Sequence, residues 1–571
     1  MPNRLSTSDV LRRAAGDRLR GLLPSKPVSR GRTPSLAEVA TGPLFGNGTV
    51  GRDLVDGRWT HGGQAIDVGA QGHPFAISLP SERFARWVHS FAWLPDLLSA
   101  KDGAAKAAEL LGHWVAQFPA RPVNPFVYGA DLLAERVFHL GWLLSAVEPA
   151  PGPLTDSYAQ QMRRLRAVQG ELGPGLPELY SHAAGVIFGA RQTERANSWL
   201  DRGLDRLDAA LGEQVLPDGG HVSRSPTQTV EALRIALVTD HVLSSRNLSG
   251  SKALTRAIDR LGPMIETLRH TDGGLAVFHG SGEGSAERIA ALLAAAPGEA
   301  APFAYGPHTG YHRLSAGESV LIVDTHGVAP RPHDTDAHLA PLAMELSTAE
   351  GRLIVNCGWH AGGSPNWRRP VRSAAAHSTL ILNEQSPGDI LESGLAYRTL
   401  GAAISRDPGE VRARRKEQAS GIWLESAHDG YRDAFGLVHR RRLFMGEDGD
   451  DIRGEDSLFV PVGDTPLRSD TIPYTIRFHF HPDVRVSLAQ DLSSALLVQR
   501  GRAGWRFRTD GGPLAVEPSV YLGASPKPVR AQQLVIRGNA YGDGDGQGRD
   551  NRVRWSLRRL RARRPGMDDD T

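Results

Sequence analysis

The stretch that decides the fold is ERANSWLDRGLDRLDAALGEQVLPDGGHVSRSPTQTVEALRIALVTDHVLSS (residues 194–245). Apolar residues recur at intervals of three and four on both sides of a glycine-containing loop, a pattern typical of two amphipathic helices. Gly219 and Gly220 end the first helix, and Ser225 and Pro226 supply an N-cap and a first-turn proline for the second. The stretch therefore predicts two consecutive helices joined by an ordered loop.

The same periodicity fills the rest of the first half of the chain. It is found in SERFARWVHSFAWLPDLLSA (81–100), KAAELLGHWVAQF (106–118), GADLLAERVFHLGWLLSAV (129–147), DSYAQQMRRLRAVQG (156–170) and SKALTRAIDRLGPMIETLRH (251–270). Helix follows helix with Gly and Pro between them and without strand-like runs. Such a series predicts antiparallel helical hairpins that curve into a toroid or a solenoid over residues 41–300.

Short β-branched runs replace the helical pattern near residue 305. They include ESVLIVD (318–324), RLIVNCG (352–358), GLVHRRRLFM (436–445) and YTIRFHFHP (474–482), separated by Gly, Asp and Pro. This pattern is typical of antiparallel strands and predicts a β-sandwich over residues 301–562. Residues 1–40 are expected to form a basic N-terminal segment, and residues 563–571 a disordered tail.

The composition narrows the classes of function. The 571 residues carry 66 Lys and Arg against 63 Asp and Glu, a near-balance that argues against a nucleic-acid-coating protein. Seven arginines between 552 and 564 are interpreted as a final strand with a solvated end. The single cysteine, Cys357, excludes an intrachain disulfide and a cysteine-only zinc site. No phosphate-binding loop is present in the sequence, so no nucleotide cofactor is predicted.

The sequence also bears on the compartment. No apolar run approaches the ~20 residues that cross a bilayer, and the arginine-containing N-terminus lacks the apolar region of a secretory signal. Its leucine spacing suggests a basic amphipathic helix, docked on its own domain or resting on anionic lipid. We therefore predict a cytoplasmic protein without a transmembrane segment, and no particular oligomeric state.

Two groups of residues have the chemistry of a site. The 216–237 loop and helix display His221, a proton-transfer group, and Arg224, an anion binder, unless His221 only hydrogen-bonds the loop. In the second half His338 precedes one strand, Asn356 ends the next, and His377 starts another. Antiparallel strands bring such residues together, so a zinc site and a set of hydrogen-bonded histidines are both open interpretations.

The order of several motifs resembles the heparinase II/III family. The most specific are HSFAWLPDLL, LPDGGHVSRSP, GPHTGYHRL, AHLAPLAMELSTAEGRLIVNCG and AAAHSTLILNEQS. The resemblance covers residues 85–560, most of the chain. It favours the first of the two arrangements open for residues 41–300, an incomplete α/α toroid, and joins it to an antiparallel β-sandwich.

The resemblance also implies a chemistry, the cleavage of an acidic polysaccharide by β-elimination. A base removes the C5 proton of a uronic acid whose carboxylate has been neutralised, and the O4 leaving group departs with a proton. Family members typically use an Asn or His as neutraliser, a Tyr as acid and base, and a His of the β-domain. A zinc held by two His and an Asp orders the β-domain side.

On the toroid side, the family's ERSPxY corresponds to SRSPTQ, which puts Gln228 where the resemblance expects tyrosine. A glutamine side chain exchanges no proton at neutral pH. The usual Asn-His pair corresponds to Pro177–Glu178, and His182 lies one turn later. For a lyase, the resemblance leaves His221 or His182 as the base and Arg224 as the neutraliser.

On the sandwich side, the family's HxHxD corresponds to DAHLA, so Asp336 replaces the first histidine among the catalytic positions. The second histidine position is kept as His338. The strand that usually ends in Asp-Pro-Gly ends here in NCG (356–358), while His377 is intact. The resemblance thus implies a structural zinc held by His338, Asn356 and His377.

Three functions follow as hypotheses. The first is a polysaccharide lyase with a rearranged site, and the second is a catalytically degenerate carbohydrate-binding or cell-envelope protein. The third, a glycoside hydrolase, needs two carboxyl groups in the cleft, and Asp218 is the only acid expected there. Because family members that attack external polymers are usually exported, the resemblance gives the periplasm or cell envelope as the alternative compartment.

Overall fold

The computed structural model describes residues 33–40, 42, 44–119, 124–147, 152–193, 197–360, 362–467, 469–500, 503–548 and 551–560. Its first half is helical, apart from a hairpin of β1 (Arg58–His61) and β2 (Gln64–Asp67). The helices are α1 (Gly48–Val55), α2 (Glu82–Ser90), α3 (Leu94–Leu98), α4 (Gly103–Gln117), α5 (Ala130–Leu143), α6 (Gly152–Val168), α7 (Leu176–Arg191), α8 (Ser198–Gln214), α9 (Pro226–Ser245), α10 (Lys252–Thr267) and α11 (Ala286–Ala295).

Helices α5, α7 and α9 form the inner layer of this half, since α7 contacts both of the others. Twelve of the fourteen residues of α5 are buried. Most of these buried residues are apolar, and a helix with so much apolar surface is stable only when it is enclosed. Helices α8 and α10 pack outside α7 and α9, respectively. This arrangement confirms the predicted toroid class.

The second half consists mainly of antiparallel strands. They are β3 (Tyr311–Ala316), β4 (Ser319–Asp324), β5 (Met344–Thr348), β6 (Gly351–Val355), β7 (Leu380–Leu382), β8 (Asp389–Ile390), β9 (Ile404–Arg406), β10 (Val411–Gln418), β11 (Gly421–His428), β12 (Val438–Gly446), β13 (Asp451–Phe459), β14 (Thr471–Phe480), β15 (Val484–Leu488), β16 (Ser494–Gln499), β17 (Ala503–Thr509), β18 (Leu514–Tyr521), β19 (Val529–Tyr541) and β20 (Arg552–Leu560). Short helices interrupt them at α12 (Pro365–Arg368), α13 (Gly394–Leu400) and α14 (Arg432–Phe435).

Two large sheets form the predicted sandwich. One has the strand order β10-β11-β12-β13-β20-β17-β16-β15, and the other β18-β19-β14-β6-β5-β4-β3, with β7 paired to β14. Alternating side chains of both sheets, among them Phe478, Trp505 and Trp555, meet in one buried core.

Local differences from the sequence prediction have physical reasons. The helix predicted over 81–100 is two helices, because Phe91 adopts a left-handed backbone conformation (φ 61°) between them. The β1–β2 hairpin and α11 were not predicted. No helix of the described ranges is long and apolar enough to span a membrane. Of the predicted N-terminal segment only residues 33–40 are described, and the predicted tail lies outside the described residues.

Candidate functional site

Arg224 connects the helical half to the sandwich. It lies in the loop between α8 and α9 with a φ of 62°, and 3% of its surface is exposed. Its Nε donates to the carbonyl of Thr309 (2.7 Å), Nη1 to the carbonyl of Gly327, and Nη2 forms an ion pair with Asp324. All three guanidinium nitrogens are therefore used by the protein itself.

Asp324, at the end of β4, joins this arginine to a histidine. His279 Nε2 lies 2.8 Å from the second carboxylate oxygen, and His279 Nδ1 accepts from the backbone N–H of His338 (3.0 Å). Burial raises the pKa of Asp324, but Arg224 and His279 outweigh burial and hold that pKa well below its usual range. We call Arg224, Asp324 and His279 the interface network.

His221 belongs to the same loop and is buried, with none of its surface exposed. Its Nδ1 accepts from the backbone N–H (3.1 Å) and the hydroxyl (2.7 Å) of Ser223, and its Nε2 lies 3.3 Å from Gln214 Oε1. Because Nδ1 is an acceptor, the neutral ring carries its proton on Nε2 and donates it to Gln214. Burial, followed by the nearby His333, lowers the pKa of His221 to about 3. Such an imidazole is a poor general base.

Gln228 lies one turn into α9, beside the loop before α7. A Cβ built on Gly175 would lie 3.5 Å from His333 Nδ1 and 3.9 Å from both Gln228 Oε1 and His221 Cε1, so these residues share one small cleft. The His333 ring meets His221 edge-on, 6.1 Å between centroids. No hydrogen bond to the described residues holds the His333 ring. Sequence reasoning missed His333 as a cleft residue. His333 lies in the loop before His338, and its local sequence does not indicate that it faces Gln228.

Two predicted site residues lie elsewhere. His182, on α7, lines a groove with Trp199 and Arg206, and burial lowers its pKa to about 4. Asp336 forms an ion pair with Arg368 (2.7 Å) and is partly exposed. Neither side chain is hydrogen-bonded to the loop that holds Arg224.

Asp218, the acid that the sequence placed in the cleft, stabilises a turn instead. Its Oδ2 accepts from the backbone N–H groups of His308 (2.8 Å) and Thr309 (2.7 Å) and from the Thr309 hydroxyl (3.0 Å). These three hydrogen bonds connect the loop between α8 and α9 to the start of the sandwich. They occupy Asp218 Oδ2, so this oxygen is not free to act on a substrate.

His338 and His377 meet, as the sequence suggested, but as hydrogen-bonding partners. His377 Nε2 lies 2.7 Å from His338 Nδ1, and the backbone N–H groups of His279 and Gly280 lie 3.1 and 2.9 Å from Nδ1 and Nε2 of His338. His377 Nδ1 lies 2.8 Å from the carbonyl of Ser373. Two nitrogens bound to one tetrahedral zinc would be about 3.3 Å apart.

Asn356 is turned to other partners. Its amide nitrogen donates to Glu345 Oε1 (2.8 Å), and its Oδ1 accepts from the backbone N–H of Ser378 (3.0 Å). Within the described ranges no group of three His, Cys, Asp or Glu is arranged to hold a metal. His338, Asn356 and His377 therefore do not fit a zinc ion in this arrangement, because their lone pairs already face protein N–H groups.

A second polar cluster lines a cavity of about 380 Å³ inside the helical half, which we name the toroid cavity. Arg234 Nη2 donates to Glu231 (2.6 Å) and to the Tyr180 hydroxyl (3.1 Å), and that hydroxyl donates to Glu231. Glu135 and His139, one turn apart on α5, complete the polar wall. The cluster thus joins all three inner helices.

Glu135 differs from its neighbours in the cavity. Burial, and then the charge of Glu231, raise the pKa of Glu135 to about 7, while burial lowers that of His139 to about 3. Sequence reasoning missed this cluster. Glu135 is a half-buried carboxyl on a helix of which twelve residues are buried, a place where a carboxyl requires a reason.

The comparisons with known proteins agree with this architecture. Residues 298–556 match the family model described as "Heparinase II/III-like, C-terminal". The crystal structure of heparinase III has a TM-score of 0.66 at 12% identity, covering 96% of this chain and 89% of that one. The heparan sulfate lyase HepC from Pedobacter heparinus has a TM-score of 0.58 at 14% identity, covering 98% and 88%. At these identities the two structures establish the fold.

A curated relative is much closer in sequence. FtsZ-localized protein C from Caulobacter vibrioides is 34% identical over 509 residues, which is 85% of this chain and 84% of that protein. The similarity therefore includes both the helical half and the sandwich.

Proposed function

Because the chain belongs to the heparinase II/III family, we propose that it uses the fold of a polysaccharide lyase as a non-catalytic binding scaffold in cell division. The fold and family are those of acidic-polysaccharide lyases. We propose two further properties, that the chain does not catalyse β-elimination and that it acts in cell division.

The observation that carries the proposal is the state of His221 and Arg224. Elimination needs a base for the C5 proton and a cation for the uronic carboxylate. Both nitrogens of His221 are hydrogen-bonded inside the protein, and the guanidinium of Arg224 is used up by Thr309, Gly327 and Asp324. With Gln228 in the tyrosine position, neither role has a free group among these residues.

The named relative supports the cellular part. FtsZ-localized protein C shares 34% identity over most of both chains. We therefore take the localisation in its name as the expected localisation of this chain. We propose accordingly that this protein localises with FtsZ. An acidic polysaccharide remains the ligand that the family suggests for the cleft.

One observation favours a second candidate, an active lyase. The ring of His333 shares the cleft with Gln228 and has no hydrogen bond to the described residues. Burial lowers its pKa, which leaves a neutral imidazole at neutral pH that is able to accept a proton. In this candidate His333 replaces the missing tyrosine as base.

To decide between the two candidates, the purified chain is incubated with a panel of uronic-acid polysaccharides and the ultraviolet absorbance is followed. Elimination creates a conjugated double bond, which absorbs ultraviolet light. We expect no rise. A rise that is lost in His333→Ala and kept in His113→Ala, an exposed-histidine control on α4, would establish the second candidate instead.

The cellular part has a separate test. A fluorescent fusion of the chain is expected to follow FtsZ in dividing cells of its source organism. A fusion that stays uniform while FtsZ assembles would contradict the proposed role, whatever the outcome of the absorbance assay.

A further inference from the structure

We propose that the toroid cavity binds a small primary amine with an apolar body. The proposal is independent of the scaffold function, because it rests on other residues in another part of the fold. It rests on the volume of the cavity, on its charge balance and on the nature of its walls.

The volume is sufficient for a small ligand. The cavity of about 380 Å³ lies within the range of ordinary ligand sites. Its apolar walls come from the loop before α1, the link between α2 and α3, α3, α9, α11 and the loop before α11, and they include Phe45, Ala92, Pro95, Val230, Leu275 and Ile289. An alkyl or aryl group of a ligand would be desolvated against these side chains.

The charges in the cavity do not balance when Glu135 is ionised. Glu231 is neutralised by Arg234, whose Nε lies 3.0 and 3.1 Å from its two oxygens. Tyr180 stays a neutral phenol, because burial, followed by Glu231, raises its pKa well above the usual value. His139 is neutral, with Nδ1 3.0 Å from the carbonyl of Ser90. One carboxyl group is therefore left without a cation.

The surroundings of Glu135 supply one further cation, Arg86, which is exposed and has the weakest influence on the carboxyl group. The groups that act on it are Ser90 and Arg86 of α2, and Glu231 and Arg234 of α9. Arg234 is committed to Glu231, and at the edge of the cavity Arg288 of α11 forms an ion pair with Asp96. His139 and Tyr180 face the same space as neutral groups. An ammonium group is the ligand chemistry that completes this set, because it pairs with the remaining carboxylate.

An anionic ligand would be repelled by the same set. It would lie near both Glu135 and Glu231. The two arginines that line the cavity, Arg234 and Arg288, already hold the carboxylates of Glu231 and Asp96. A neutral ligand would leave Glu135 protonated and gain only the apolar walls. The expected order of affinity is therefore amine, then alcohol, then carboxylate.

The test uses the full chain and calorimetry at pH 8 with three compounds of one size, 2-phenylethylamine, 2-phenylethanol and phenylacetate. Butylamine and hexylamine extend the amine series. We expect at least one amine to bind, and phenylacetate not to bind. At pH 6, where Glu135 is protonated, amine binding should release about one proton, measured in buffers of different ionisation enthalpy.

Two variants and a control complete the design. Glu135→Gln should weaken amine binding at least about tenfold, the loss of one ion pair in an enclosed site. Val230→Trp fills the cavity and should abolish binding. Glu417→Gln, at an exposed carboxylate on β10, should change nothing. Circular dichroism verifies that each variant is folded.

Three outcomes would overturn the proposal. They are an absence of binding by all three amines, equal binding of phenylacetate, or unchanged amine affinity in folded Glu135→Gln protein.

Discussion

The interface network and the toroid cavity use the same kinds of residues to different ends. Arg224, Asp324 and His279 are buried, and each is hydrogen-bonded to another of the three or to the backbone. Around the toroid cavity, Glu231 and Arg234 are paired, but Glu135 faces open space of about 380 Å³. A concentration of histidine, arginine and carboxylate is therefore not in itself a site. What makes a site is a charge or a lone pair that the protein leaves unused.

The largest expected effect comes from breaking the interface network. Arg224→Met removes the cation that holds Asp324 ionised in the protein interior. Removing one partner of a buried ion pair typically costs about 3–5 kcal/mol, because the other charge is left unpaired. We expect a loss of that size in the free energy of unfolding, measured by denaturant titration.

The double variant distinguishes charge from packing. Arg224→Met combined with Asp324→Asn removes both formal charges, so it should recover a substantial part of the lost stability. If the double variant is as unstable as the sum of the two single variants, the network acts through shape and hydrogen bonds, and the ion pair is not what holds the halves together.

The next effect concerns Glu135 and has the opposite sign. Its pKa is about 7 in the folded protein and about 4.3 in an unfolded chain. The folded state therefore binds the extra proton between these values, and stability falls as pH rises from about 4 to about 7. Glu135→Gln removes that loss, so the variant should be more stable than wild type by about 2–3 kcal/mol at pH 8, with no difference near pH 4.

Denaturant titrations at pH 4 and pH 8 verify this prediction. A variant that is less stable than wild type at pH 8 would mean that Glu135 is already paired in the free protein. The toroid cavity would then resemble the interface network, and the contrast between the two regions would disappear.

The fold was predictable because it rests on local periodicity. The runs around Leu321 and Phe478 form strands, as their short β-branched pattern predicts, and the helix after Ser225 begins at Pro226 as expected. Even there a contact escaped prediction, since the Ser225 hydroxyl bonds Ser281 of a distant loop (2.8 Å) rather than the helix it precedes. The sequence pattern indicates where a helix or strand starts, whereas tertiary contacts determine which partners its side chains bind.

The sites were less predictable for the same reason. His338 and His377 do meet, because adjacent strands bring them together, but whether they bind a metal or each other depends on backbone N–H groups from residues 279 and 280. The toroid cavity depends on Glu135, Tyr180 and Glu231, which lie some forty to fifty residues apart on three helices. Nothing in their local sequence indicates that they face one space.

A smaller effect is expected at Gln228. Gln228→Tyr restores the family's tyrosine in the cleft, but His221 and Arg224 remain hydrogen-bonded to the protein. We therefore expect ultraviolet absorbance with uronic-acid polysaccharides to stay at the level of the blank. Since Gln228 is partly exposed, stability should change by less than about 0.5 kcal/mol. A clear gain of activity would show that substrate displaces the hydrogen bonds of His221 and Arg224, and that the missing tyrosine alone prevented elimination.

The smallest expected effect is the response to zinc. A structural zinc contributes directly to folding, so its removal lowers the melting temperature. His377 Nδ1 donates to the carbonyl of Ser373, so the lone pair of His377 Nε2 faces His338 Nδ1, and His338 Nε2 accepts from the backbone N–H of Gly280. Asn356 is held by Glu345 and Ser378, so no pair of lone pairs converges here. We expect the purified protein to contain far less than one zinc per chain and to melt at the same temperature with a chelator. Stoichiometric zinc that is lost in His377→Ala would contradict this prediction. It would mean that the His338–His377 contact separates and that both imidazoles bind the metal.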